Sequence, residues 1–155
     1  MKKILLSLSV VSILFAGDGC IKDAVCIDKT VQSEQAEIVN YAAANGIIAT
    51  AHSSGLYYQV INPGGGPVPS LTSKVFIKYS GKLLNGTAFD TQTTAPVSYG
   101  LSGMIQGFQI GLPLIQKGGT IKLIIPSSLG YGCNGYGTVP GNSILYFEVE
   151  LTDVQ

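Results

Sequence analysis

The sequence predicts an α+β domain, in which a half-open antiparallel β-sheet wraps around one short α-helix and is preceded by a leader helix. Three observations carry this. Val75–Gly81 and Ile144–Leu151 alternate apolar and polar residues with the period of two expected of strands that bury one face. Between them, Met104–Pro113 (MIQGFQIGLP) carries no charge and must be covered. An apolar helix of about two turns is marginal alone, so it needs a sheet to lie on. Strands, one short helix, then more strands is the α+β order.

The elements follow in chain order. Met1-Lys2-Lys3 is a positive n-region, Ile4–Ala16 an apolar h-region and Gly17–Cys20 a hinge. The apolar stretch is too short to span a bilayer, so residues 1–19 are expected to be a secretory signal cleaved after Gly19. Cys20 then becomes the first mature residue, which resembles a bacterial lipoprotein signal with a lipidated cysteine. The departure is Asp18, where such signals carry small or aliphatic residues; an ordinary cleaved signal is the alternative. Residues 20–55 are expected to form a linker holding one helix, about 33–45. Ser33 can cap it, acids occupy its first turn and Asn45-Gly46 ends it. Ile38, Tyr41 and Ala42 share a face that packs on the domain.

Residues 56–155 form the main domain. Leu56–Ile61 reads as a strand ended by Asn62–Pro67, and Val75, Ile77 and Tyr79 face inward from the next. Asn85-Gly86 is a hairpin turn. In the central helix Gly107 is read as a turn at the start, Gly111 as an exit and Pro113 as the stop. Ile121, Leu123 and Ile125 point inward, as do Leu145, Phe147, Val149 and Leu151, with Tyr146, Glu148 and Glu150 opposite.

Composition excludes several functions. The 155 residues carry nine basic and nine acidic side chains, and every basic residue is Lys. Without arginine or a basic stripe, nucleic acid is not an expected partner. The one histidine, His52, sits in a Ser/Gly-containing stretch and is read as a solvated linker residue rather than a ligand or base. Removal of residues 1–19 takes out Lys2, Lys3 and Asp18 and leaves a net charge of −1. In an oxidising compartment Cys26 and Cys133 are either a disulfide or two free thiols; sequence leaves both open.

Three motif matches are set aside. Gly130–Gly135 fits G-x-G-x-x-G, but no helix follows to hold phosphate. Asn85-Gly86-Thr87 fits a glycosylation sequon and is better read as a turn. The serines, Ser102 included, have no nearby histidine for a triad, and no spacing resembles a zinc or calcium site.

Nine separated blocks then agree in order and spacing across Leu56–Gln155: VFIKYSG at 75–81, GTAFD at 86–90, PVSY at 96–99, MIQGFQIGL at 104–112, KGG at 117–119, IP at 125–126, LGYG at 129–132, VP at 139–140 and LYFEVEL at 145–151. Together they resemble the FKBP-type peptidyl-prolyl isomerases. The resemblance implies a cofactor-free rotamase. Its catalytic residues would be Tyr79, Phe89, Asp90, Ile105, Tyr131 and Phe147, with Val97, Tyr99, Met104, Phe108 and Val139 binding substrate; Tyr136, in the loop after the pocket, is particular to this chain and is expected to bind substrate there and alter its reach. The Tyr131 hydroxyl and the Ile105 N–H would bond substrate carbonyls. Proline-containing polypeptides are the implied partners, with macrolides that fit such pockets as ligands. Two departures stand out. The family's pocket-floor tryptophan is Phe108 here, and no basic residue in Thr91–Ala95 accompanies Asp90.

The composite expectation is a monomeric, exported isomerase of the bacterial cell envelope, facing the periplasm and membrane-anchored through Cys20. A chaperone-like peptide-binding module with little turnover is the alternative, and a ligand-free envelope scaffold is a third.

Overall fold

A computed structural model describes residues 25–155. The secretory signal, its cleavage after Gly19 and the lipidation of Cys20 lie outside the described residues.

Helix α1 (Val31–Ala44) begins two residues before the expected start. Its cap is Thr30, not Ser33: Thr30 Oγ1 accepts the Ser33 N–H at 3.2 Å, and Ser33 is already inside the first turn. Asn45 closes the other end, its Nδ2 donating to the Tyr41 carbonyl at 2.8 Å. The strands are β1 (Thr50–Ala51), β2 (Tyr57–Asn62), β3 (Lys74–Leu83), β4 (Ala88–Gly100), β5 (Thr120–Ile125) and β6 (Leu145–Val154). They pair antiparallel in one six-stranded sheet, ordered β1-β2-β5-β6-β3-β4. The Asn85-Gly86 turn joins β3 to β4, with Gly86 at φ +89° and Thr87 N–H bonded to Asn85 Oδ1 at 2.9 Å. Ile77 pairs with Val97 but Tyr79 with Gln92, so the register shifts and β4 carries extra residues between those partners.

Helix α2 (Gln106–Gly111) lies on one face of the sheet. Here one expectation is corrected and another is extended. Pro113 does not end the helical path. It falls in the first turn of a tight 3₁₀ turn, Leu112–Leu114, where its missing N–H costs nothing. The two glycines do stand at the ends of α2, Gly107 as its second residue and Gly111 as its last, and they are also the places where helix meets sheet. A Cβ on Gly107 would stand 2.5 Å from Ile125 Cγ2, and one on Gly111 would stand 2.7 Å from Leu123 Cδ2. Absence of a side chain lets α2 approach the strand, and Leu112, Phe108, Ile77, Ile121, Leu123, Val149 and Leu151 close into the main core.

The other face is covered by α1. Ile38, Ala42 and Ile47 pack on Tyr57, Ile124, Ile144 and Tyr146. For this reason Ile124 and Tyr146, opposite the inward series on β5 and β6, are buried as well. Glu34 is the buried charge of α1; its Oε2 accepts the N–H of Ser127 at 2.9 Å. Ahead of α1 a disulfide joins Cys26 to Cys133, with Cα atoms 5.5 Å apart. Around it Cys133 N–H donates to Asp28 Oδ1 at 2.7 Å, and Asn142 Nδ2 donates to the Ile27 carbonyl at 3.1 Å. The leader is thus fastened to the loop between β5 and β6. His52 is not a solvated linker residue: it is half-buried in the β1–β2 turn, where its Nδ1 accepts the Ser54 N–H at 3.1 Å.

Candidate active site

At the end of α2 the sheet, the β4–α2 connection and the β5–β6 loop enclose a cavity of about 460 Å³, lined by Tyr79, Asp90, Tyr99, Gly103, Met104, Ile105, Phe108, Tyr131, Tyr136 and Phe147. Its floor is aromatic. Phe108 of α2 is 3% exposed and meets Phe147 of β6 edge-to-face, centroids 4.8 Å apart, and Tyr79 of β3 at 6.4 Å. The alternation of β3 and β6 presents Tyr79 and Phe147 to α2, as their inward positions predict.

Three residues expected at the wall do not line the cavity. Phe89 stands behind Phe147, 5.5 Å away at 88°; Val97 packs against the core from β4; Val139 is a core residue. The cause for Phe89 is Gly81, which sequence reading passed over. A Cβ there would lie 2.6 Å from the Phe147 ring and 2.9 Å from the Phe89 ring, so the two rings share the space over a bare strand position. A glycine inside an alternating strand was the available signal. Of the residues lining the cavity, Gly103 is the one that the sequence did not single out.

Asp90 finds its partner in tyrosine rather than a basic residue. The Tyr79 hydroxyl donates to Asp90 Oδ2 at 2.6 Å and lies 3.3 Å from the Tyr99 hydroxyl. Burial first, then the hydrogen bond to Asp90, pushes the Tyr79 hydroxyl far above its ordinary pKa. Tyr131 is also raised, by burial and then by the Asp90 charge. Both hydroxyls are therefore protonated donors at neutral pH. That of Tyr131 has no hydrogen-bond partner among the described residues.

Ile105 is the residue before α2, and its carbonyl accepts the N–H groups of Phe108 at 3.0 Å and Gln109 at 3.2 Å. Its own N–H has no acceptor among the described residues, as the start of a helix leaves it. Gln109 holds this corner, donating from Nε2 to the carbonyls of Met104 at 2.7 Å and Ser102 at 3.1 Å. The sequence reading missed that positioning role; an uncharged amide in a short apolar helix was its signal. Across the mouth Tyr131 stacks on Tyr136, centroids 5.3 Å apart at 18°, with Tyr136 71% exposed.

The site thus offers an apolar floor, two unengaged donors and one carboxylate edge. Among the described residues no three His, Cys, Asp or Glu side chains converge as a metal site would require.

Comparison with known proteins gives the same picture. Residues 66–152 match the family of FKBP-type peptidyl-prolyl cis-trans isomerases. The chain is 46% identical over 105 residues to the FKBP-type isomerase FkpA of Escherichia coli K12, covering 66% of this chain and 39% of that one. It is 38% identical over 130 residues to the FKBP-type 22 kDa isomerase of the same organism, covering 79% of this chain and 62% of that one. The chain therefore spans less than two thirds of these curated relatives. Among solved structures, E. coli FkpA superposes with a TM-score of 0.72 at 39% identity, covering 81% of this chain and 61% of that one. A peptidyl-prolyl isomerase of Pseudomonas syringae pv. tomato superposes at 0.69 with 30% identity, covering 83% of this chain and 98% of that one. The family model matches more than half of the chain, and the chain belongs to the FKBP-type peptidyl-prolyl cis-trans isomerase family.

Proposed function

We propose that the cavity takes the ring of a proline residue and accelerates rotation about the preceding Xaa-Pro bond in exported polypeptides, assisting their folding. The observation that carries this is the combination of a floor built from Phe108, Tyr79 and Phe147 with two unengaged donors, Tyr131 Oη and Ile105 N–H, at its mouth. Rotation is slow because amide resonance opposes it with a barrier of about 18–20 kcal/mol. The planar amide is the more dipolar state, so an apolar, water-poor site favours the twisted one. Tyr131 and Ile105 bond carbonyls flanking the ring and hold the peptide bent, and Met104, Tyr99 and Tyr136 contact its neighbours. Asp90 fixes Tyr79 and supplies the polar edge, while Phe89, Val97 and Val139 support the wall from behind. No proton need be transferred. A millionfold acceleration requires about 8 kcal/mol of differential binding to the twisted state.

In this reading residues 1–19 are a secretory signal, 20–55 a leader whose helix packs on the domain, and 56–155 the isomerase domain. The protein resides in the bacterial envelope, facing the periplasm and anchored by lipid on Cys20. It acts as a monomer, which a sedimentation mass of twice the chain would contradict. Macrolides shaped for such pockets compete with peptide. One observation favours a second reading: Phe108 lacks the indole of the usual floor, which would leave a holding module with little turnover.

The test is cis-to-trans isomerisation of a short Xaa-Pro peptide by the chain from Cys20 onward, with Cys20→Ser, beside Tyr131→Ala and Asp90→Ala. Turnover that falls in both folded variants supports the enzyme. Saturable peptide binding without turnover in wild type supports the holding module instead.

A further inference from the structure

We propose that this site discriminates among prolines by charge, preferring those with a lysine or arginine immediately before or after them. The basic side chain is held between the Asp90 carboxylate and the open aromatic pair Tyr131–Tyr136. The inference deepens the isomerase reading and rests on it.

The cavity walls beyond β3 come from residues 83–116 and 123–147. Neither stretch contains a single Lys, Arg or His, and Asp90 is the sole acid in both. Asp90 is exposed, and only its Oδ2 is engaged, by the neutral Tyr79 hydroxyl. The ion pairs among the described residues are Lys117–Asp153 and Lys122–Glu148, so no described lysine pairs with Asp90. Lys29, nearest in the leader to the β5–β6 loop, lines a separate hollow with Glu37 and Leu84.

The receiving face is present as well. Tyr136 is 71% exposed and stacks on Tyr131, leaving an aromatic surface at the mouth of the same cavity that Asp90 lines. An uncompensated carboxylate beside an accessible aromatic face suits an ammonium or guanidinium group, through an ion pair at one side and cation–π attraction at the other. An acidic neighbour of proline meets repulsion. Exposed pairs of these kinds together give a preference of about three- to tenfold, weakened by salt.

The experiment uses the chain from Cys20 onward (Cys20→Ser) and peptides of the form Ala-Xaa-Pro-Phe and Ala-Leu-Pro-Xaa, with Xaa lysine, norleucine or glutamate. Binding and exchange are both read by NMR at low salt, about 20 mM, and at about 300 mM. In at least one series lysine should bind about three- to tenfold tighter than norleucine at low salt, with glutamate weakest. High salt should bring the ratio below about twofold. Asp90→Asn should bring the lysine-to-norleucine ratio near one, whatever it does to norleucine itself. Ratios within twofold in both series, at both salts, overturn the preference while leaving the isomerase reading standing. Failure to bind any peptide overturns that reading and this inference with it. If peptides bind without turnover, the binding ratio still decides.

Discussion

Gly107→Ala sets two physical effects against each other, and the structure says which wins. Inside a helix alanine is favoured over glycine by about 1 kcal/mol, so propensity alone predicts a stabilised protein. Position 107, however, is where α2 touches β5. The new methyl would lie 2.5 Å from Ile125 Cγ2, 2.6 Å from Cδ1 and 2.8 Å from Cγ1. Ile125 is fully buried and β-branched, so its Cγ atoms cannot swing clear without moving other core side chains. Overpacking costs about 1–3 kcal/mol, and three contacts this short on a rigid side chain put it in the upper half, about 2–3 kcal/mol, so that subtracting the propensity gain leaves a net loss of about 1–2 kcal/mol. With a urea slope of about 1.5–2 kcal/mol/M, the unfolding midpoint should fall by roughly 0.5–1.3 M. Phe108 follows Gly107 on α2, so lifting the helix also shifts the cavity floor, and peptide affinity should drop with stability. Urea unfolding followed by circular dichroism reads the first effect. A midpoint equal to or above wild type would refute the claim that this glycine sets the helix-to-sheet distance.

Further predictions concern the leader and the tyrosines. Glu34→Ala removes a charge-assisted hydrogen bond and leaves the buried Ser127 N–H without a partner, so it should cost about 2–3 kcal/mol in chemical unfolding; an unchanged midpoint would mean that α1 is not part of the cooperative unit. Replacing Cys26 and Cys133 by alanine opens a loop of sequence separation 107 and should destabilise by up to about 4–5 kcal/mol, measured against the oxidised wild type. The alkaline limb of stability should report Tyr79. Its folded pKa lies above the ordinary 10.0, so stability is intact below about pH 10 and falls as pH rises beyond it, because the unfolded chain releases a proton that the folded chain keeps. In Tyr79→Phe the fall above pH 10 should be shallower, and an identical slope would remove Tyr79 from that account.

Much of this architecture is written in short-range pattern. The alternation of Val75-Phe76-Ile77-Lys78-Tyr79 and of the β6 segment sets both the strands and their inward faces, because a one-residue slip would bury charge. The uncharged run at 104–113 marks the covered helix for the same reason. What escaped was decided by distance in space. Ile124 and Tyr146 read as outward until α1 folds over them, and nothing local to β5 or β6 encodes that cover. Gly107 and Gly111 look like chain breakers, since the strand they approach lies in a different part of the sequence. At the site, the aromatic residues and Asp90 were legible from motif blocks. Their division into lining and backing residues was not, because Phe89 and Phe147 divide a gap that Gly81 creates from a third strand. The Thr30 cap was missed because Ser33 offered the same chemistry three residues later.

The most direct test of the central claim is NMR exchange spectroscopy of Ala-Leu-Pro-Phe with the chain from Cys20 onward (Cys20→Ser), recorded from about pH 6 to about pH 9, below the ordinary tyrosine range. A site that works by shape, two neutral donors and exclusion of water should accelerate cis–trans exchange at a rate that stays flat across that interval. A rate that tracks a titration, or saturable binding with exchange no faster than in buffer, would contradict it.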